Sequence, residues 1–217
     1  MCRSRNISKA DVVCACVDNK GTFMRTLAIV GSVALVTWLV ASGVSAGQSH
    51  GWTTTTGDVR VTCPLTIGGS FEARTTALKG SLSIDPATTV LAGELSVDLK
   101  TLDTGISLRN QHMIDKYLEV TKSEAFETAV LSNIDVGSLA SGGTEGRSPF
   151  TALLRLHGKT QPVTGQTTMS RRESSVRVEA SFPIRISDYG IADPRYLGVG
   201  VKNEVVVRVV FLANKDS

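Results

Sequence analysis

From residue 59 onward the chain breaks into short runs in which apolar and polar side chains alternate. A strand with one buried face needs that period of two. Leu82 and Ile84 point one way, with Ser81, Ser83 and Asp85 the other; Val176, Val178 and Ala180 alternate with Arg177, Glu179 and Ser181. Such runs at residues 59–63, 67–75, 80–85, 91–99, 128–136, 150–157, 163–169, 176–186 and 204–213 predict an all-β fold. Asp85-Pro86 and Ser187-Asp188-Tyr189-Gly190 read as turns, residues 137–149 as a long flexible loop, and His157-Gly158-Lys159 as a hairpin tip. About eight antiparallel strands in up-and-down order fit a closed barrel better than an open sheet, because closure removes exposed edges. Alternation alone leaves a sandwich open.

One stretch does not alternate. In residues 101–131 (TLDTGISLRNQHMIDKYLEVTKSEAFETAVL) Met113, Ile114, Tyr117 and Leu118 share a helical face, with Asn110 one turn earlier. One short helical connection inside an all-β chain is therefore expected.

This stretch resembles the YceI-like family of secreted bacterial proteins. So do LRLHGKTQPV at residues 154–163 and FPIRISDYGI with YLGVGVKNEVVVRV within residues 182–209. Gly68-Gly69-Ser70-Phe71 and Leu78-Lys79-Gly80 are similar to that family's opening hairpin. Many relatives carry a proline between the helix and the next strand, where this chain has Lys122-Ser123-Glu124-Ala125. The resemblance covers roughly Val59 to Ala213. It implies a lipocalin-like antiparallel up-and-down β-barrel, expected over residues 58–217, that binds a polyisoprenoid lipid.

The N-terminal part is read separately. Residues 27–40 form an apolar run behind Arg25 that leads to Val44 and Ala46, small residues suited to a cleavage site. Residues 24–46 are thus expected to be a signal peptide, in preference to an uncleaved membrane anchor, with export to the periplasm or beyond. Residues 1–23 are polar for a leader, and Met24 is a natural start, so they read as a misassigned extension. Residues 47–57, rich in Thr and Gly, read as a flexible lead-in. Arg3, Arg5, Lys9, Lys20 and Arg25 against Asp11 and Asp18 account for the whole formal surplus of +3. From Gly47 on the chain is neutral, which removes the argument for a nucleic-acid partner. Cys63 is the one cysteine there, so no intrachain disulfide forms, and beside Pro64 it reads as a small buried hydrophobe.

A barrel of this size holds either packed side chains or one slim ligand. Phe, Trp and Tyr make up only 5% of the chain, and small aliphatic residues suit a narrow apolar tunnel, although they could equally fill a solid core. In the carrier reading the bound species is an isoprenoid lipid or quinone, with transient membrane contact and no other cofactor. The oligomeric state, a dimer included, is not set by the sequence. An inward small residue such as Ala180, enlarged to Trp, is expected to block binding.

The resemblance places the helical connection near the tunnel mouth. His112 is the foremost candidate for a head-group contact, with Arg109 and Asn110 beside it, since imidazole and guanidinium donate to quinone or phosphate oxygens. The competing reading has Arg109 and His112 pinning the connection to the barrel. Tyr117 and Tyr196 either line the opening or pack against it, and His157 reads as a turn residue. No G-x-S-x-G elbow, H-E-x-x-H, P-loop or spaced Cys/His cluster is present. The chain is expected not to be an enzyme, and His50, His112 and His157 are not expected to bind metal. The competing functional class is a ligand-free cell-envelope protein acting through its surface.

Overall fold

The computed structural model describes residues 50–84, 90–137, 145–196 and 198–215. The expected extension, signal peptide and Asp85-Pro86 turn lie outside the described residues. The strands are β1 (His50–Pro64), β2 (Ser70–Thr75), β3 (Leu78–Ile84), β4 (Val90–Asp98), β5 (Thr128–Asp135), β6 (Glu145–Leu156), β7 (Lys159–Arg172), β8 (Ser175–Arg185), β9 (Arg195–Tyr196), β10 (Val199–Gly200) and β11 (Glu204–Lys215).

Strand β11 closes the sheet by pairing with both β8 and β1, so the order β1-β3-β4-β5-β6-β7-β8-β11 returns to β1. Strands β2 and β3 share one position. Both run antiparallel to β1, from Pro64↔Ser70 through Val59↔Thr75 and then Thr53↔Ser81 to His50↔Ile84. The result is a closed eight-stranded antiparallel barrel, as expected.

The inward face follows the sequence period. Val205, Val207, Val209, Phe211 and Ala213 of β11 are buried. Arg208 points out, reaching Glu179 Oε2 at 3.3 Å beside the Arg177–Glu179 pair at 3.0 Å. Gly165 sits opposite Phe150 in the β6–β7 ladder. A Cβ there would stand 2.4 Å from the Ser181 carbonyl oxygen and 2.7 Å from the Phe150 ring, so only glycine lets β7 pass the edge-to-face Phe150–Phe182 pair.

Two expectations are corrected. The lead-in expected at residues 47–57 is strand from His50 onward, and the barrel begins there rather than at residue 58. β-Branched Thr53 and Thr54 pair with Asn214 and Ala213, and Trp52 is buried. The loop expected at residues 137–149 gives way to strand at Glu145, whose segment to Pro149 pairs with Gln166–Ser170. The hairpin tip is as expected: His157 (φ 50°) and Gly158 (φ 72°) form a two-residue turn between β6 and β7.

The helical connection between β4 and β5 has more parts than the pattern predicts. Helix α1 (Ser107–Gln111) runs into a π turn at His112–Tyr117, and a short α2 (Glu124–Glu127) follows. Where proline was the expectation from relatives, Ser123 Oγ accepts from Ala125 N at 3.3 Å and starts α2. The connection is stitched to the outer edge of β2 by paired backbone bonds between Arg74 and Asp103, both 2.8 Å. That covers part of the outer edge of β2, whose one strand partner among the described residues is β1.

Candidate functional site

The barrel interior differs between its two ends. At one end Trp52, Leu82, Leu91, Val176 and Phe211 pack around a void of only about 50 Å³. At the other end lies a cavity of about 670 Å³, within the range of small-molecule sites. Leu95, Leu131 and Val209 line both spaces and form the partition between them. The barrel is therefore neither solid nor hollow throughout.

The larger cavity is walled by aliphatic side chains of the strands, Val61, Ala73, Val97, Leu154, Ile184 and Val207 among them. Three segments frame its mouth: the β1–β2 turn, the helical connection, and the β9–β10 hairpin, which contribute Leu65, Leu108 and Val199 respectively. The turn and the hairpin are joined by Thr66 N donating to the Gly200 carbonyl at 2.8 Å, and by Gly200 N donating to Thr66 Oγ1 at 2.9 Å.

The π turn sets what the connection presents inward. Leu118 N bonds back to the Met113 carbonyl at 2.9 Å, five residues apart, and this wider turn re-phases the side chains. Met113, Tyr117 and Leu118 line the cavity, while Ile114 packs against the core beside it.

The expected site residues divide. Arg109, His112 and Tyr117 do line the cavity, at the connection that frames its mouth. The Arg109 guanidinium lies 4.3 Å above the Phe71 ring, which fixes its position by stacking. The Tyr117 hydroxyl donates to the Arg195 carbonyl and accepts from Arg195 N, both at 3.0 Å, and so latches the connection to β9. Asn110 does not line the cavity. Its Oδ1 accepts from Thr104 N at 2.8 Å and Thr104 Oγ1 at 2.7 Å, and its Nδ2 donates to Asp103 Oδ1 at 2.6 Å. The backbone of Tyr196 belongs to β9; its side chain lies outside the described residues.

Arg195, which sequence reasoning missed, is the second arginine lining the cavity. Its signal was weak, an arginine between Pro194 and Tyr196, and only long-range pairing with Tyr117 brings it to the mouth. Among the described residues no carboxylate lines this space; Arg195 has Asp193 Oδ2 at 3.8 Å outside it, and Arg109 is held by the Phe71 ring.

Cys63 lines the same cavity. Burial pushes its thiol up to about 11, against the opposing pull of the Arg109 charge, so at neutral pH it is a protonated apolar wall atom. Two consequences are expected. Maleimide labelling of folded protein at neutral pH is slow. The sign of the pH effect follows from the unfolded thiol ionising near 9.0 while the folded one holds its proton to about 11. Between those values only the unfolded chain releases a proton, so stability falls as pH rises, by on the order of 2 kcal/mol. Urea midpoints across that window should decline in the wild type and flatten in Cys63→Ala; an unchanged slope would contradict the burial.

His157 is a structural residue of the turn. Its ring stacks on Phe126 at 4.0 Å between centroids, and Nδ1 lies 3.1 Å from the Tyr189 carbonyl. Among the described residues, no group of three His, Cys, Asp or Glu side chains is placed to hold a metal ion.

Comparison with known proteins bears on this geometry. The model of the YceI-like domain matches residues 49–213. A polyisoprenoid binding domain from Saccharophagus degradans, implicated in plant cell wall breakdown, has a similar structure. It is 17% identical, with a TM-score of 0.59, and the match covers 76% of this chain and 98% of that one. Burkholderia cenocepacia BcnA is 18% identical with a TM-score of 0.55, over 72% of this chain and 96% of its own. At such identities the likeness is one of fold. No curated protein matches the sequence.

Proposed function

The chain belongs to the YceI-like family, and from that premise we propose that it sequesters or carries a polyisoprenoid or similar long amphiphile in the hollow half of its barrel. The observation that carries this reading is the cavity of about 670 Å³, walled by aliphatic side chains and bordered by Arg109, His112 and Arg195. The similar domain from Saccharophagus degradans is described as polyisoprenoid binding. The protein works by reversible burial in the cell envelope after export, and no bond is made or broken.

Magnitudes assign the roles of wall and mouth. Burying a tail of three isoprene units is worth on the order of 10 kcal/mol relative to water. A bilayer offers the tail the same refuge, so the walls hold the ligand without selecting it. Selection falls to the shape of the cavity and to the cationic mouth, which favours an anionic or strongly accepting head group such as a phosphate or a quinone carbonyl. Arg109 is pre-positioned by Phe71 for that contact.

The test is native mass spectrometry, with organic extraction, on protein recovered from the envelope of its host. A stoichiometric adduct that extracts as an isoprenoid is expected, and polyprenyl phosphates should raise the thermal midpoint of the apo protein. A clean apo mass that persists after incubation with polyprenyl phosphates and quinones would overturn the reading in favour of a ligand-free envelope protein.

A further inference from the structure

Few large apolar side chains of the described residues are strongly exposed, and they are not scattered. Ile67, Val90, Ile106, Leu108 and Val206 are the five, and three of them belong to the segments that frame the cavity mouth. Ile106 (49% exposed) and Leu108 (51% exposed) at the start of α1 also line the cavity, so the same apolar side chains face both the interior and the outside. Ile67, 67% exposed, stands in the turn that Leu65 N and the Gly69 carbonyl close at 3.1 Å. That turn is bonded to the β9–β10 hairpin through Thr66 and Gly200.

The segments that frame the rim carry charges of both signs. Arg109 and Arg195 line the mouth. Lys116 Nζ lies 5.4 Å from the Tyr117 ring, and Lys202 is tied by its backbone to Pro64 at the foot of the turn. The acids on these segments are Asp103, Asp115, Glu119, Glu124, Glu127 and Asp193, of which Glu119 pairs with Lys122 and Glu127 with Lys100 at 2.8 Å. The Asp103 carboxylate accepts from Asn110 and Gly105, and Asp193 lies 3.8 Å from Arg195. Asp115 is exposed beside Lys116.

We propose that the mouth is a membrane-docking face. Ile67, Ile106 and Leu108 enter the interfacial layer of an anionic bilayer, with Arg109, Lys116, Arg195 and Lys202 at the level of the lipid phosphates. The occupant is a bilayer and not a second copy of the chain, because the exposed Ile106 and Leu108 also line a hydrocarbon-walled cavity whose lining cations are Arg109 and Arg195. The purpose assigned to this face rests on the carrier reading: docked mouth-down, the protein lets a tail slide between bilayer and cavity without crossing water.

The experiment co-sediments the exported protein with vesicles of phosphatidylcholine containing a quarter phosphatidylglycerol, and in parallel measures uptake of a fluorescent polyprenol from detergent micelles. Wild type should bind these vesicles, more weakly in high salt. Ile67→Asp should lower vesicle partitioning about tenfold or more. Ile67 does not line the cavity, so micelle uptake should be unchanged, which also shows that the variant folds. Val206→Asp, an exposed aliphatic position on the outer face of β11, should bind like wild type. Wild type that ignores the vesicles overturns the proposal, as does Ile67→Asp that binds as well as wild type or Val206→Asp that loses as much. A concentration-dependent dimer that Ile67→Asp dissolves, without vesicle binding, would assign the rim to a second copy and also overturn it. Vesicle binding that depends on Ile67, with no uptake from micelles of the polyprenol or of polyprenyl phosphates and quinones, would uphold the docking face and sink the carrier reading.

Discussion

Ala73→Trp is expected to abolish lipid occupancy while leaving the barrel folded, and Ala180→Trp is expected to do the reverse. Ala73 lies on β2, 2% exposed, and faces the large cavity. An indole there takes space that no side chain occupies, so it adds contacts without forcing neighbours off their rotamers. It would occupy the path of the ligand tail, and each isoprene-sized segment displaced removes several buried carbons at roughly 0.8 kcal/mol apiece. Affinity should therefore fall at least about a hundredfold. Ala180 lines the void of about 50 Å³ at the packed end. Trp cannot fit that void, and overpacking should cost about 1–3 kcal/mol or more. Ligand uptake by the variant that remains folded should be near normal. The paired readout is adduct occupancy by native mass spectrometry against the urea midpoint. Full occupancy in Ala73→Trp would show that the ligand does not use the cavity.

The same pair of residues shows where sequence reasoning stops. Alternation on β8 correctly turns Ala180 inward, because a period of two distinguishes faces. It carries no information about height along the barrel axis, so the choice of Ala180 as a blocking position fell at the closed end. The apolar strands β8 and β11 were legible for the reason that both bury one face fully. The start of β1 was not: Thr53 to Thr56 have no hydropathy contrast, and what makes them strand is pairing with β11 and β3, far away in sequence. The site was half legible. Arg109, His112 and Tyr117 stood out as polar side chains in the one helical segment. Arg195 did not, because its place depends on a bond to Tyr117 seventy-eight positions away. Asn110 was chosen for its type and its neighbours, and its actual partners are Thr104 and Asp103, three and four residues before the helix that carries it.

That last point leads to the second large effect. Asn110 is expected to act on ligand binding only through the fold of the helical connection, and an isosteric change separates the two roles. In Asn110→Asp the Nδ2 that donates to Asp103 at 2.6 Å becomes an oxygen, and two carboxylates face each other where an amide held one. In the native protein that donation, with the one from Gly105 N, holds the Asp103 carboxyl below its usual range. Losing a charge-assisted bond and gaining like-charge contact should loosen residues 103–111. Hydrogen exchange of the Asp103 and Asn110 amides, which bond to the Arg74 and Ile106 carbonyls, should accelerate at neutral pH, and ligand should leave faster. The sign with pH is opposite to that of an ordinary acid loss. Protonating one member of the new pair restores a donor between the two oxygens, so the defect relative to wild type should shrink as pH falls through the carboxylate range. A residue that touched the ligand's head group directly would behave differently, losing affinity at both pH values with no change in exchange at Asp103. Slow exchange in Asn110→Asp together with lost binding would move Asn110 from the frame of the mouth into its contacts.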